Sequence, residues 1–145
     1  MAKRRPPKIQ RGDSSVEFKL LVEPFEDTLT KRSGIAFHFR TAEEFQNFPY
    51  ELVVEIKQDG KKLFFDIAGL RTPMSGFPRS GPAMCSCEIE NMENGNYTII
   101  VDRRGKQVNQ FKISINNGIR LLRSINQRKF IDLFTDRSKW AILEG

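Results

Sequence analysis

Apolar and polar side chains alternate with a period of two through most of this chain, and that pattern fits a β-strand, whose successive side chains leave opposite faces. In "SVEFKLLVE", Val16, Phe18, Leu20 and Val22 share one face and Glu17, Lys19 and Glu23 the other, with Leu21 out of step. Ile35, Phe37 and Phe39 of "GIAFHFR" alternate with Ala36, His38 and Arg40 in the same way. Between this segment and the next lies "TAEEFQNFPY", where Thr41 stands three residues before Glu44. That capping-box spacing predicts a short helical turn, ended by Pro49. Tyr50, Leu52, Val54 and Ile56 then resume the alternation.

Turn chemistry sharpens the reading. Asp59-Gly60 sits between two alternating runs, and a type I′ turn favours those two residues because both central positions need positive φ. Such a turn pairs Gln58 with Lys61, Ile56 with Leu63, Val54 with Phe65 and Leu52 with Ile67, so every inward pair is apolar. "MCSCEIE" adds a short strand. In "NGNYTIIVDRRGKQVNQFKISI", Tyr97, Ile99 and Val101 share a face with Phe111, Ile113 and Ile115 only if the loop at Gly105 has an odd number of residues, which predicts a three-residue turn.

About seven short strands before residue 116 specify an all-β fold of the β-sandwich kind. Gly95-Asn96-Tyr97, entering a late strand, resembles the Gly-x-Tyr corner of immunoglobulin-like and fibronectin-like sandwiches, a resemblance of superfold that carries no activity with it. The tail reads differently. Ser124 and Gln127 have capping-box spacing, and Phe130, Leu133 and Phe134 fall on one helical face, predicting a helix from Ile125 to Thr135 with Trp140 and Ile142 in a final extended segment. The organisation expected is a basic disordered arm over 1–14, a sandwich domain over 15–116, and a helical extension over 117–145 packed on the sandwich.

The net charge of +6 is unevenly spread. Residues 1–13 hold Lys3, Arg4, Arg5, Lys8 and Arg11 against Asp13, and residues 116–145 hold six basic and three acidic side chains, so the body between them is nearly neutral. An arm of this composition, with two prolines and no apolar periodicity, orders only against something anionic. No run approaches the ~18 apolar residues that cross a bilayer, and the basic N-terminus lacks an apolar stretch after it, so a cytoplasmic protein without a transmembrane segment is expected.

Catalytic and metal constellations find little support. Cys85 and Cys87 have strand spacing and are expected to face the core with Ile89; zinc sites space their cysteines more widely and need a second ligand pair. His38, the only histidine, is expected on the face away from Phe37 and Phe39, with no nucleophile or orienting partner beside it in sequence. Glu51, Glu55 and Asp66 alternate with lysines as on a solvated sheet face, and no phosphate-binding glycine loop is present. No enzyme activity, cofactor, metal or small-molecule substrate is therefore expected.

The Pro/Gly-rich stretch from Gly69 to Ala83 is long for a connection in a compact domain, and it carries Arg71, Met74, Phe77 and Arg79, residue types enriched at interfaces. It is read either as a contact loop or as a plain crossover. The function expected is a non-catalytic interaction module, an accessory subunit of a larger protein assembly whose arm meets an anionic partner. Nucleic-acid binding is the alternative, with the arm on phosphates and Arg103, Arg104 and Lys106 as a second contact but no element that reads bases.

Overall fold

The computed structural model describes residues 16–42, 51–71, 83–105, 107–125 and 128–141. Nine strands account for most of them: β1 (Phe18–Asp27), β2 (Arg32–Thr41), β3 (Glu51–Asp59), β4 (Lys62–Arg71), β5 (Met84–Glu90), β6 (Gly95–Arg103), β7 (Gln107–Ile115), β8 (Ile119–Ile125) and β9 (Ile131–Phe134). A short helix, α1 (Arg137–Ala141), follows. The expected all-β class holds. Among the described residues no helix is long and apolar enough to cross a membrane.

The strands form one sheet in the order β8-β7-β6-β4-β3-β5-β2-β1-β9, curled into a nearly closed barrel. Nine strands in one bent sheet stand where about seven in two separate layers were expected. The ladder is thinnest between β3 and β5, which share a single pair, Glu51 with Met84. Two strands separate β2 from β4 in the order, yet Phe37 and Phe39 of β2 meet Phe65 of β4 across the interior, with ring centroids 5.0 and 5.1 Å apart. Leu20, Val22, Leu63, Ile99, Val101, Phe111 and Ile113 belong to the same buried cluster, drawn from both halves of the sheet. Each such side chain stabilises the fold by roughly 1.5–3 kcal/mol through burial alone.

The first hairpin closes one step away from the expected turn. Asp59 pairs with Lys62, so Gly60 and Lys61 form the loop, and Ile56 faces Phe65 while Val54 faces Ile67. Only the first central residue, Gly60, has positive φ (63°), the II′ pattern, which requires glycine at that one position. The register moves by two residues between the turn and a bulge at Val53 and Val54, so Val54, Phe65 and Ile67 keep their assigned face. Past the bulge Leu52 pairs with Leu70 rather than Ile67, and Ile56, expected inward, is 41% exposed near the turn. The β6–β7 hairpin follows the expectation: Arg103 pairs with Gln107, leaving three residues in the loop, and Tyr97 pairs with Ile113 and Ile99 with Phe111.

The tail departs most. Instead of a helix from Ile125 to Thr135, residues 119–125 extend the sheet as β8 beside β7, and Ile131–Phe134 form β9, parallel to β1 with Ile131 opposite Phe18. Ile131 and Leu133 are buried, so the run is an alternating strand whose Phe130, Leu133 and Phe134 happen also to match helical spacing. Helix begins only after Asp136, whose carboxylate accepts hydrogen bonds from the backbone N–H and hydroxyl of Ser138 and caps α1. Trp140 lies in that helix, not in an extended segment. The arm over 1–14, the short helix after Thr41 and Ile142 lie outside the described residues.

Candidate functional site

The strand directions sort the connections between the two ends of the barrel. One end holds the short turns at 28–31, 60–61, 91–94 and 116–118. At the other end lie the root of the N-terminal segment at Glu17, the connections that leave Thr41 and Arg71, the β6–β7 loop and the β8–β9 connection.

Backbone hydrogen bonds fasten the three longest segments together at their roots. Ala42 N–H donates to the Glu17 carbonyl at 2.8 Å, which ties the arm's root to the β2–β3 connection. Thr41 and Ala83 are joined twice: Thr41 N–H donates to the Ala83 carbonyl and Ala83 N–H to the Thr41 hydroxyl, both at 3.0 Å. Thr41 is buried although polar, as such a double link requires.

Arginines rim this end. Arg71 pairs with Glu51 at 2.9 Å, its side chain 59% exposed. Arg103 pairs with Glu17 at 2.6 Å and lies 5.8 Å from the Phe18 ring. The Arg104 backbone N–H donates to Asp66, and its guanidinium lies 3.8 Å from where a side chain at Gly69 would begin. Of the residues singled out by sequence for binding, Arg71 is thus placed at the mouth of the β4–β5 connection, at the same end of the barrel as the root of the arm and the β6–β7 tip. Lys3, Arg4, Arg5, Lys8, Arg11, Met74, Phe77, Arg79 and Lys106 lie outside the described residues. Thr41, Glu17 and Glu51 were read in the sequence only as a capping residue and outward-facing carboxylates, since nothing local marks a link between residues 17, 42 and 83.

Cys85 and Cys87 are half-buried against the core, as their spacing predicted, and are not bridged to each other. A hydrogen bond from Cys87 lowers the Cys85 thiol to about 7 despite burial, helped by the Val54 backbone and the charge of Arg71. The same bond, with burial, pushes the Cys87 thiol up. Among the described residues no group of three His, Cys, Asp or Glu side chains stands close enough to hold a metal ion.

A second cluster lies on the outer face of β1, β2 and β5. His38 Nδ1 is 2.7 Å from Ser86 Oγ and its Nε2 is 3.1 Å from Glu23 Oε2, so the nucleophile and the orienting carboxylate that the sequence did not reveal do meet the histidine. Neither hydrolytic geometry nor isolation of the carboxylate follows. The ring nitrogens are in the reverse order to a serine-hydrolase triad, where Nε2 faces the serine. Glu23 is also held by Arg137 of α1, while Trp140 of the same helix lies 6.0 Å from the His38 ring. Burial raises the Glu23 carboxyl, but the hydrogen bond and charge of Arg137, with those of His38, leave it below the ordinary value. Arg40 donates to the Trp140 and Ala141 carbonyls, holding the other end of α1. The cluster fastens α1 to the sheet.

Comparison of the chain with protein-family models, with curated proteins and with solved structures returns no match.

Proposed function

We propose that this protein is a non-catalytic interaction module, an accessory or structural subunit of a larger assembly, that grips an anionic face of a partner protein with its long-connection end. The observation that carries the reading is the joining of three long segments at their roots, Glu17 to Ala42 and Thr41 to Ala83, within a rim of Arg71, Arg103 and Arg104. A rigid sheet that displays several connections at one end is how loops are made into a binding surface. An immunoglobulin-like or fibronectin-like fold belongs to this proposal. Its support is the Tyr97 hydroxyl, which donates to the Glu93 carbonyl four residues back at 2.7 Å, the geometry of a tyrosine corner. The parallel β4–β6 pair departs from that layout, so the analogy bears on how loops are displayed and not on what they bind. Cytoplasmic residence is part of the same reading, since a reducing compartment keeps the neighbouring Cys85 and Cys87 as thiols.

Binding to nucleic acid is the second reading, favoured by the position of Arg103 and Arg104 at the same end as the arm's root. One experiment separates the two: affinity purification from the native cell at low salt, with and without nuclease, using the full chain, a form lacking residues 2–11, and a form with Arg71, Met74, Phe77 and Arg79 replaced by Ser. A protein partner that survives nuclease and falls at least tenfold with either alteration is the expected result. Recovery that depends on nucleic acid establishes the second reading, and recovery indifferent to both alterations defeats the proposal.

A further inference from the structure

The two edges of the sheet are treated unequally. β9, at one edge, has four residues, two of them buried, and α1 packs against it and β1. β8, at the other, has seven residues whose strand partner among the described residues is β7, and Arg120 through Ile125 are all exposed. Leu121, Leu122 and Ile125 are 39%, 44% and 41% exposed, and Val108 of the adjoining β7 is 54% exposed. An open edge of this length with aliphatic side chains is a template for another strand.

Charge specifies which strand. From Arg103 to Ile131 the chain holds eight basic residues and no acidic one. A bulge between Lys112 and Ile113 in the β7–β8 ladder changes the alternation, so that Arg120, opposite Ser114, and Arg123, opposite Lys112, emerge on the same outer face. A second copy of β8 would bring these like charges together, which opposes self-pairing. Nucleic acid would find phosphate contacts, but the exposed apolar groups here are aliphatic, without the aromatic faces on which bases stack. A cavity of about 300 Å³ opens at the start of β8, lined by Ser114, Asn116, Gly118, Ile119 and Arg120.

We propose that the exposed edge of β8 binds an extended protein segment by strand addition, the segment interleaving acidic side chains with aliphatic ones. Backbone hydrogen bonds supply affinity in this mode, and Arg120, Arg123 and the neighbouring aliphatic side chains supply selectivity. The surface lies along the edge of the sheet, from the 116–118 turn toward the β8–β9 connection, and does not include Arg71, Arg103 or Arg104.

The test uses the full chain and two labelled nine-residue peptides, one alternating Glu with Val and one alternating Lys with Val. Binding is followed by fluorescence anisotropy and the site by amide hydrogen exchange. The expected result is that the Glu peptide binds, slows exchange in 119–125, and weakens at least tenfold in Arg120→Glu/Arg123→Glu. The milder Arg120→Gln/Arg123→Gln should lose about half that effect on a logarithmic scale, and deletion of residues 2–11 should change nothing. No binding of the Glu peptide, binding without protection of 119–125, equal binding of the Lys peptide, protection of 119–125 by a single-stranded oligonucleotide instead, or self-association abolished by the charge reversal would each overturn the proposal.

Discussion

At the short-turn end the chain reverses through local chemistry: the Asp27 carboxylate accepts from the Leu29 and Thr30 backbone, and Lys31, Gly60, Asn91 and Asn117 adopt positive φ. At the opposite end, closure rests on partners far apart in sequence, Glu17 with Ala42, Thr41 with Ala83 and Asn109 with Phe130. The turns at the first end are shaped by neighbouring residues, with the strands around them tied by contacts such as Asn91 to Ser33. Among the described residues the second is anchored at the roots of its connections, which suits a scaffold that displays a binding surface.

The largest effect expected from that difference is at Gly34, near the short-turn end of β2. A Cβ there would come 2.1 Å from the Ile89 carbonyl oxygen, a backbone atom that moves only if β2 and β5 separate. Gly34→Val should cost on the order of 3 kcal/mol or more in urea unfolding. A loss below about 1 kcal/mol would mean that this end is not the rigid one.

Asn109 tests the other end. Fully buried, it accepts from the Phe130 and Ile131 N–H groups at 2.9 and 3.2 Å and donates to the Arg128 carbonyl at 3.0 Å, so one side chain closes the β8–β9 connection onto β7. Asn109→Ala strands those buried groups and should cost about 1–3 kcal/mol. Because the bonds are local to the start of β9, faster amide exchange should appear first in residues 130–134. Uniform acceleration across all nine strands would contradict the idea that this end is held connection by connection.

The same division explains what could be read in advance. Period-two alternation identified β1 to β7 and the inward faces of Phe37, Phe65, Ile99 and Phe111, because a strand's two environments are written in adjacent residues. The odd loop at Gly105 was legible because two apolar faces had to coincide across it. β9 was not, since Phe130, Leu133 and Phe134 satisfy helical spacing as well as a strand's, and the choice is made by β1, more than a hundred residues away. The hairpin turn missed by one position because Asp59-Gly60 and Gly60-Lys61 both offer a glycine, and side-chain alternation cannot distinguish registers two residues apart. Arg71 was legible as an interface residue type, but its pairing with Glu51, at the same end as the Glu17–Arg103 pair, is tertiary. So is the meeting of His38 with Ser86, Glu23 and α1.

The smallest effect contrasts two identical side chains at different distances from the long-connection end. Cys85 lies one residue from the pair that joins β5 to Glu51, within the field of Arg71, and its thiol is lowered to about 7; Cys87, farther along the strand, is raised. A lowered thiol pKa means more thiolate at a given pH, so Cys85 alkylation by iodoacetamide should rise through a midpoint near pH 7, with Cys87 reacting more slowly throughout. Cys87→Ala removes the hydrogen bond that lowers Cys85 most and should move the midpoint up toward the ordinary 9.0. Arg71→Ser should move it in the same direction by less, because that charge contributes less than the Cys87 bond. Both thiols titrating together near pH 9 in the unaltered protein would remove the distinction. If the long-connection end does hold an anionic partner against Arg71, bound protein should resemble Arg71→Ser, its Cys85 alkylated more slowly at pH 7 than in the free protein, so the thiol reports occupancy of that end without lying within it.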